Sequence, residues 1–234
     1  MANASENLKK YVKTSAKTAK KKTRELALFN KVPVHILQPL PDSVDLRACL
    51  SNIEKAVPRH LVQNIDVMYV GQFDHLTDNN VNASYSDGAI YLTNAQDDNA
   101  DLIDDVVHEI SHSIEQNSKD EIYGDREVEN EFAGKRERLY HIINGVLPKG
   151  TNFPLEQYLN LEYDKDFDEF LYREIGYPTL TTISSGLFYS PYAITALREY
   201  FANGFEAYFL RDANYLKKIS PLLFNKLEQL AYEG

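Results

Sequence analysis

The chain has 234 residues, of which 43% are hydrophobic and 26% charged, a balance that excludes a largely disordered protein, a collagen-like repeat and a small disulfide-stapled module. It carries a formal net charge of −10 and a single cysteine, Cys49, so no intramolecular disulfide can form and an intracellular setting is expected. Mean hydropathy is −0.44, no run approaches the ~18 apolar residues of a membrane span, and the first 25 residues lack the apolar core of a signal peptide, so neither membrane insertion nor signal-peptide secretion is expected.

The charge is unevenly spread. Residues 1–25 hold seven Lys and one Arg against Glu6 and Glu25, a net +6, and the remainder carries −16. A basic arm on an acidic body suits a solvated or assembly-ordered tail, and it also offers contact with virion proteins or nucleic acid. Tyr11 is its only aromatic residue, so it has no row of stacking platforms for single strands. The sequence divides into this arm, 1–25, and one domain, 26–234.

Val32 to Leu37 reads as a strand, and Pro33 favours an edge position for it. Asp42 or Ser43 can cap a helix with apolar Leu46, Cys49, Leu50 and Ile53, ended by Pro58. Ile65 to Val70 is a second strand. Asp87-Gly88 between two β-prone runs predicts a hairpin, whose second strand, Ala89 to Thr93, is a candidate edge strand for pairing with a peptide. A helix follows from near Asp101, with Leu102, Ile103, Val106, Val107, Ile110 and Ile114 facing the core. Asp101, Asp104 and Asp105 lie in its early turns, where the macrodipole favours negative charge. Residues 125–145 predict a further helix, 150–190 a less regular segment with a helical stretch around 167–174, and Tyr192 to Leu210 an amphipathic helix. A last helical element or two spans 213–232, broken at Pro221.

The residues with most chemical content are His108-Glu109-Ile110-Ser111-His112. On a helix, positions i and i+4 share a face one turn apart, so both imidazoles can bind one Zn²⁺ at about 2.0–2.1 Å. Glu109 then points toward a water on the metal and can serve as general base. A catalytic zinc needs a third protein ligand. The extension HExxHxxGxxH fails, with Glu115 in place of Gly and Ser118 in place of the third His. Two downstream carboxylates remain: Glu131, in a highly charged helix where a salt-bridged surface role competes, and Glu199, on a helical face of small residues with Ala202 and Asn203. Tyr192, Glu199 and Glu206 are seven apart; for Glu206 a surface or ligand-supporting role is expected. Asp105, one turn before His108, can support a ligand imidazole or simply start the helix. His35, His60, His75 and His141 show no ligand spacing.

The combination of His108-Glu-Ile-Ser-His112, Ser190-Pro-Tyr192 and Glu199-Tyr-Phe-Ala-Asn-Gly-Phe resembles the catalytic-domain family of anthrax lethal factor. It is more similar still to small metallopeptidases encoded by tailed phages. The resemblance covers about residues 60–212. It implies that His108, His112 and Glu199 bind zinc, that Glu109 is the base, and that Tyr192 faces the scissile group. It implies an α+β, zincin-like fold, with a small mixed sheet, an active-site helix and a largely helical C-terminal half. The toxin's receptor-binding and substrate-docking domains have no counterpart here, so its substrate does not carry over.

The expectation is therefore a zinc endopeptidase acting on a peptide or protein, phage-encoded, and located in the host cytoplasm or on the virion. One rival is a virion structural or assembly protein with a retained but idle zinc site. Another is a nucleic-acid-associated protein that works through the Lys-rich arm.

Overall fold

A computed structural model describes residues 26–148 and 152–232. The basic arm, residues 1–25, lies outside the described residues, as do the contacts expected of it. The rest is an α+β fold in which a five-stranded mixed sheet occupies the N-terminal part and helices build the remainder.

The sheet comprises β1 (Leu26–Leu28), β2 (Val32–Ile36), β3 (Val67–Gly71), β4 (Ala83–Ser86) and β5 (Ala89–Thr93), in the spatial order β1-β2-β3-β5-β4. The three central strands are parallel, and β1 and β4 run antiparallel at the two edges. Alternation sets the faces: Met68, Val70, Ile90 and Leu92 are fully buried beneath the sheet, whereas His35, Tyr69 and Tyr91 stack on the other face at 5.5–5.6 Å between ring centroids. The β4–β5 turn is the expected one. Asp87 and Gly88 both have positive φ, as a type I′ hairpin requires. Gly88 is also needed for space, since a Cβ there would lie 2.7 Å from Asp66 Oδ2.

Two expectations about edges are corrected. Strand β2, containing Pro33, is not an edge, because β1 pairs outside it and places Ala27 opposite Pro33. That hairpin closes through Phe29 and Asn30, both at positive φ, with the Lys31 amide donating to the Leu28 carbonyl at 3.0 Å. Ala89–Thr93 is not an edge either. It lies between β3 and β4, so the open edge belongs to β4.

Helix α1 (Leu46–Ala56) buries Leu46, Cys49, Leu50 and Ile53 as expected, but its cap is Asp45, whose carboxylate accepts from the Ala48 amide. A short α2 (Asp74–Asn79) links β3 to β4. The long α3 (Asn99–Asn117) starts two residues earlier than Asp101, at the Asp98 cap, whose carboxylate accepts from the Ala100 and Asp101 amides, an arrangement worth ~1 kcal/mol. Ile103 is only half-buried, unlike Leu102, Val106, Val107, Ile110 and Ile114. The C-terminal part is α4 (Lys119–Tyr123), α5 (Glu127–Val146), α6 (Leu155–Leu159), α7 (Lys165–Phe170), a π-turn over Leu171–Ile175, α8 (Tyr177–Ile183), α9 (Leu197–Leu210), α10 (Ala213–Ile219) and α11 (Pro221–Tyr232).

The predicted helix from Tyr192 to Leu210 is broken. Tyr192–Ile194 is a separate 3-10 turn, and Ala196 is extended before α9 begins at Leu197. Helix α9 packs on α3 and α11. A Cβ on Gly204 would fall 2.3 Å from Leu223 Cδ2, so glycine permits the close approach of α9 and α11. No helix among the described residues is long and apolar enough to cross a membrane.

Candidate metal centre

Helix α3 turns the face carrying His108 and His112 toward α9, which carries Glu199. The buried side of α3 is anchored by Val106, Val107, Ile110 and Ile114, so the rotation of the helix about its axis is set by packing. On α9, Phe201 and Phe205 do the same for Glu199. Glu109, His112, Glu199 and Glu206 are each only 6–7% exposed.

Three donor atoms converge. His112 Nε2 lies 3.0 Å from His108 Nε2, Glu199 Oε2 lies 3.1 Å from His108 Nε2, and Glu199 Oε2 lies 3.7 Å from His112 Nε2. Neighbouring ligand atoms of a tetrahedral ion with bonds of 2.0–2.1 Å stand about 3.3 Å apart, which is the middle of this range. The far nitrogens also face carboxylates. His108 Nδ1 is 2.6 Å from Glu206 Oε1, and His112 Nδ1, which has no hydrogen-bond partner, is 3.7 Å from Glu115 Oε2. Glu206 behind His108 can hold a proton on Nδ1 while Nε2, which points inward, gives up its own to a metal, the arrangement that metal-binding histidines use. His108, Glu109 and His112 thus form a buried cluster able to hold a metal ion, with ligand atoms within 4.8 Å of one another. Glu109 and Glu199 both offer a carboxylate, and Glu199 Oε2 lies within 3.7 Å of both Nε2 atoms.

The charges respond to this crowding. Burial opposes the charge on His108, but the hydrogen bonds and charges of Glu199 and Glu206 win and raise it to about 10. Burial likewise opposes ionisation of Glu199, and the His108 hydrogen bond with the His112 and Arg198 charges still holds its carboxyl below the usual range. Glu109 goes the other way. Burial pushes its carboxyl up against the pull of the two imidazoles, and the Glu199 charge adds to the rise. Tyr192 is 39% exposed, with its ring centroid 6.2 Å from that of His108. Desolvation and the Glu199 charge push its phenol up, so it stays a proton donor.

All five predicted site residues therefore lie around one point, although Tyr192 arrives from the 3-10 turn rather than from the helix of Glu199. Glu131 is not a ligand, nor the salt-bridged surface residue expected. It accepts from the Tyr200 hydroxyl at 2.7 Å and from the Leu222 and Leu223 amides, capping α11. Asp105 accepts from Gln96 Nε2 at 3.0 Å and has no hydrogen bond to an imidazole. Glu206 is buried on His108, so the surface expectation falls. The sequence did not reveal Arg211, which binds Asp104 at 2.6 Å and approaches Glu206 at 3.5 Å. His60 and His75 bond elsewhere, to the Leu230 carbonyl and the Ser84 hydroxyl.

No family model, curated protein or solved structure gives a significant match to the chain.

Proposed function

We propose that the chain is a zinc-dependent endopeptidase of zincin-like architecture, with His108, His112 and Glu199 as metal ligands. The observation that carries this reading is the convergence of two imidazole nitrogens and one carboxylate oxygen, from two helices, at 3.0–3.7 Å. Two imidazoles, one carboxylate and a position left for water make a donor set that suits catalytic zinc.

When bound there, zinc supplies Lewis-acid polarisation of a peptide carbonyl and acidifies a water. Glu109 takes the proton of the attacking water and passes it to the leaving amine. Its raised affinity for protons suits that task, since a base works best near the operating pH. Tyr192, kept protonated, donates a hydrogen bond to the oxyanion that develops on the carbonyl. The open edge of β4 lies beside Glu109, and an extended peptide can add to it as a further strand.

The test is cleavage of a random peptide mixture by the zinc-loaded full chain, beside Glu109→Gln. The parent is expected to cleave, to stop when a chelator strips the metal, and to recover with zinc. Glu109→Gln is expected to keep its zinc and lose about 10²–10⁴-fold in rate. A Gln variant as fast as the parent, or a zinc-loaded parent that cleaves nothing, overturns the reading.

A further inference from the structure

Two hollows flank the metal cluster, and their charges differ. The hollow on the His112 side, of about 360 Å³, is lined by Glu115 and Glu162 but also by Lys119 and Arg198, so its charges balance. The hollow on the His108 side, of about 420 Å³, is lined by Asp101, Asp104 and Asp105 together with His108, Glu109, Tyr192 and Glu206, and no Lys or Arg among the described residues lines it. The three aspartates are there for a helical reason. Positions 101, 104, 105 and 108 follow one another at spacings of three, one and three, so they share the face of α3 that carries His108.

Among the described residues, little neutralises them. Arg211 reaches in from the end of α9 and takes Asp104 at 2.6 Å. Asp105 has only the neutral amide of Gln96, and Asp101 only a long 3.5 Å contact from the Asp97 amide. Arg211, lying between Asp104 and Glu206, demonstrates that a guanidinium fits against this wall. Burial, with the Asp101 charge added to it, pushes the Asp105 carboxyl up to about 6, a cost that a bound cation removes.

The direction of β4 decides which part of a substrate meets this hollow. Strand β4 starts at Ala83, which lines the acidic hollow, and reaches Tyr85, which lines the balanced one. A peptide added antiparallel to β4, the more stable pairing, runs the opposite way. The residue after the scissile bond then lies over the aspartates. Building on the peptidase reading above, we propose that the Asp101–Asp105 hollow binds the Lys or Arg side chain of the residue that follows the scissile bond, so that the protein cuts before basic residues.

The experiment is cleavage of a random-sequence peptide library by the zinc-loaded full chain, with mass spectrometry of the new amino termini. Lys and Arg are expected to be enriched at that position at least about tenfold over Leu and Glu, the factor that one charge-assisted hydrogen bond supplies. In the double variant Asp101→Asn/Asp105→Asn, zinc content is expected to hold. The kcat/KM ratio of a Lys peptide to its norleucine counterpart should fall by about the same factor. The Asp98 cap is untouched in that variant, and its thermal unfolding checks the fold. Cleavage without a basic preference, a basic preference only before the cut, or a double variant that keeps the parent ratio overturns the subsite while leaving the peptidase intact. No cleavage at all removes the peptidase reading and the subsite with it.

Discussion

Replacing Glu206 by Ala removes the acceptor 2.6 Å from His108 Nδ1. Glu206 is 7% exposed, so bulk water does not readily take its place. Without that acceptor, His108 loses the bond that fixes its ring orientation and that holds a proton on Nδ1 when Nε2 gives up its own to a metal. Loss of such a partner weakens metal binding by about 10–100-fold, or about 1.4–2.7 kcal/mol. The bond here is short, buried and charge-assisted, which places the expectation toward the upper end. Glu206→Gln keeps an acceptor oxygen without the charge and should fall between the parent and the Ala variant. The assay is zinc competition against a chromophoric chelator near neutral pH, with thermal unfolding of the metal-free proteins as a check on folding. A folded Glu206→Ala protein that binds zinc within twofold of the parent refutes the reasoning.

Three further outcomes are expected. Tyr192→Phe should lower kcat by about 10²–10³, the effect of deleting one oxyanion donor, with zinc affinity unchanged; an unaltered kcat contradicts the assigned role. Lys135 is buried on Tyr200 and Ser220, and desolvation lowers it from 10.5 to about 8. Between those two values the unfolded chain holds more protons than the folded one, so this group makes stability rise with pH, by about 3 kcal/mol across the window. The difference in urea-unfolding free energy between the parent and Lys135→Met should carry that upward slope, and a flat or falling difference contradicts it. Gly204→Ala should cost about 1–3 kcal/mol by overpacking against Leu223, read as a lower thermal midpoint, and an unchanged midpoint argues against the tight α9–α11 contact.

The parts of this protein legible in sequence are those with local causes. His108 and His112 meet because helical periodicity alone puts i and i+4 on one face, and Asp87-Gly88 forms its hairpin because both positions tolerate positive φ. Glu199 was readable as a carboxylate on a helix whose neighbours are small or aromatic. The features that stayed hidden depend on elements distant in the chain. Strand β5 is inserted between β3 and β4, so which strand forms the edge is a matter of strand order that no local pattern encodes. The β1–β2 turn uses Phe29 at φ +54°, a residue that is not a turn signal. The break before α9 sits at Thr195–Ala196, with neither Gly nor Pro at those positions to announce it. Glu131 caps a helix some ninety residues away, and Glu206 meets His108 across 98 residues.

The central claim is that two imidazoles and one late carboxylate share a cation. X-ray absorption at the zinc edge of the full-length, dialysed protein tests it most directly. The account predicts one zinc per chain, with two imidazole nitrogens and carboxylate oxygen at about 2.0–2.1 Å, and loss of that zinc in Glu199→Ala. A chain that keeps no zinc, or whose zinc shows no imidazole, contradicts it.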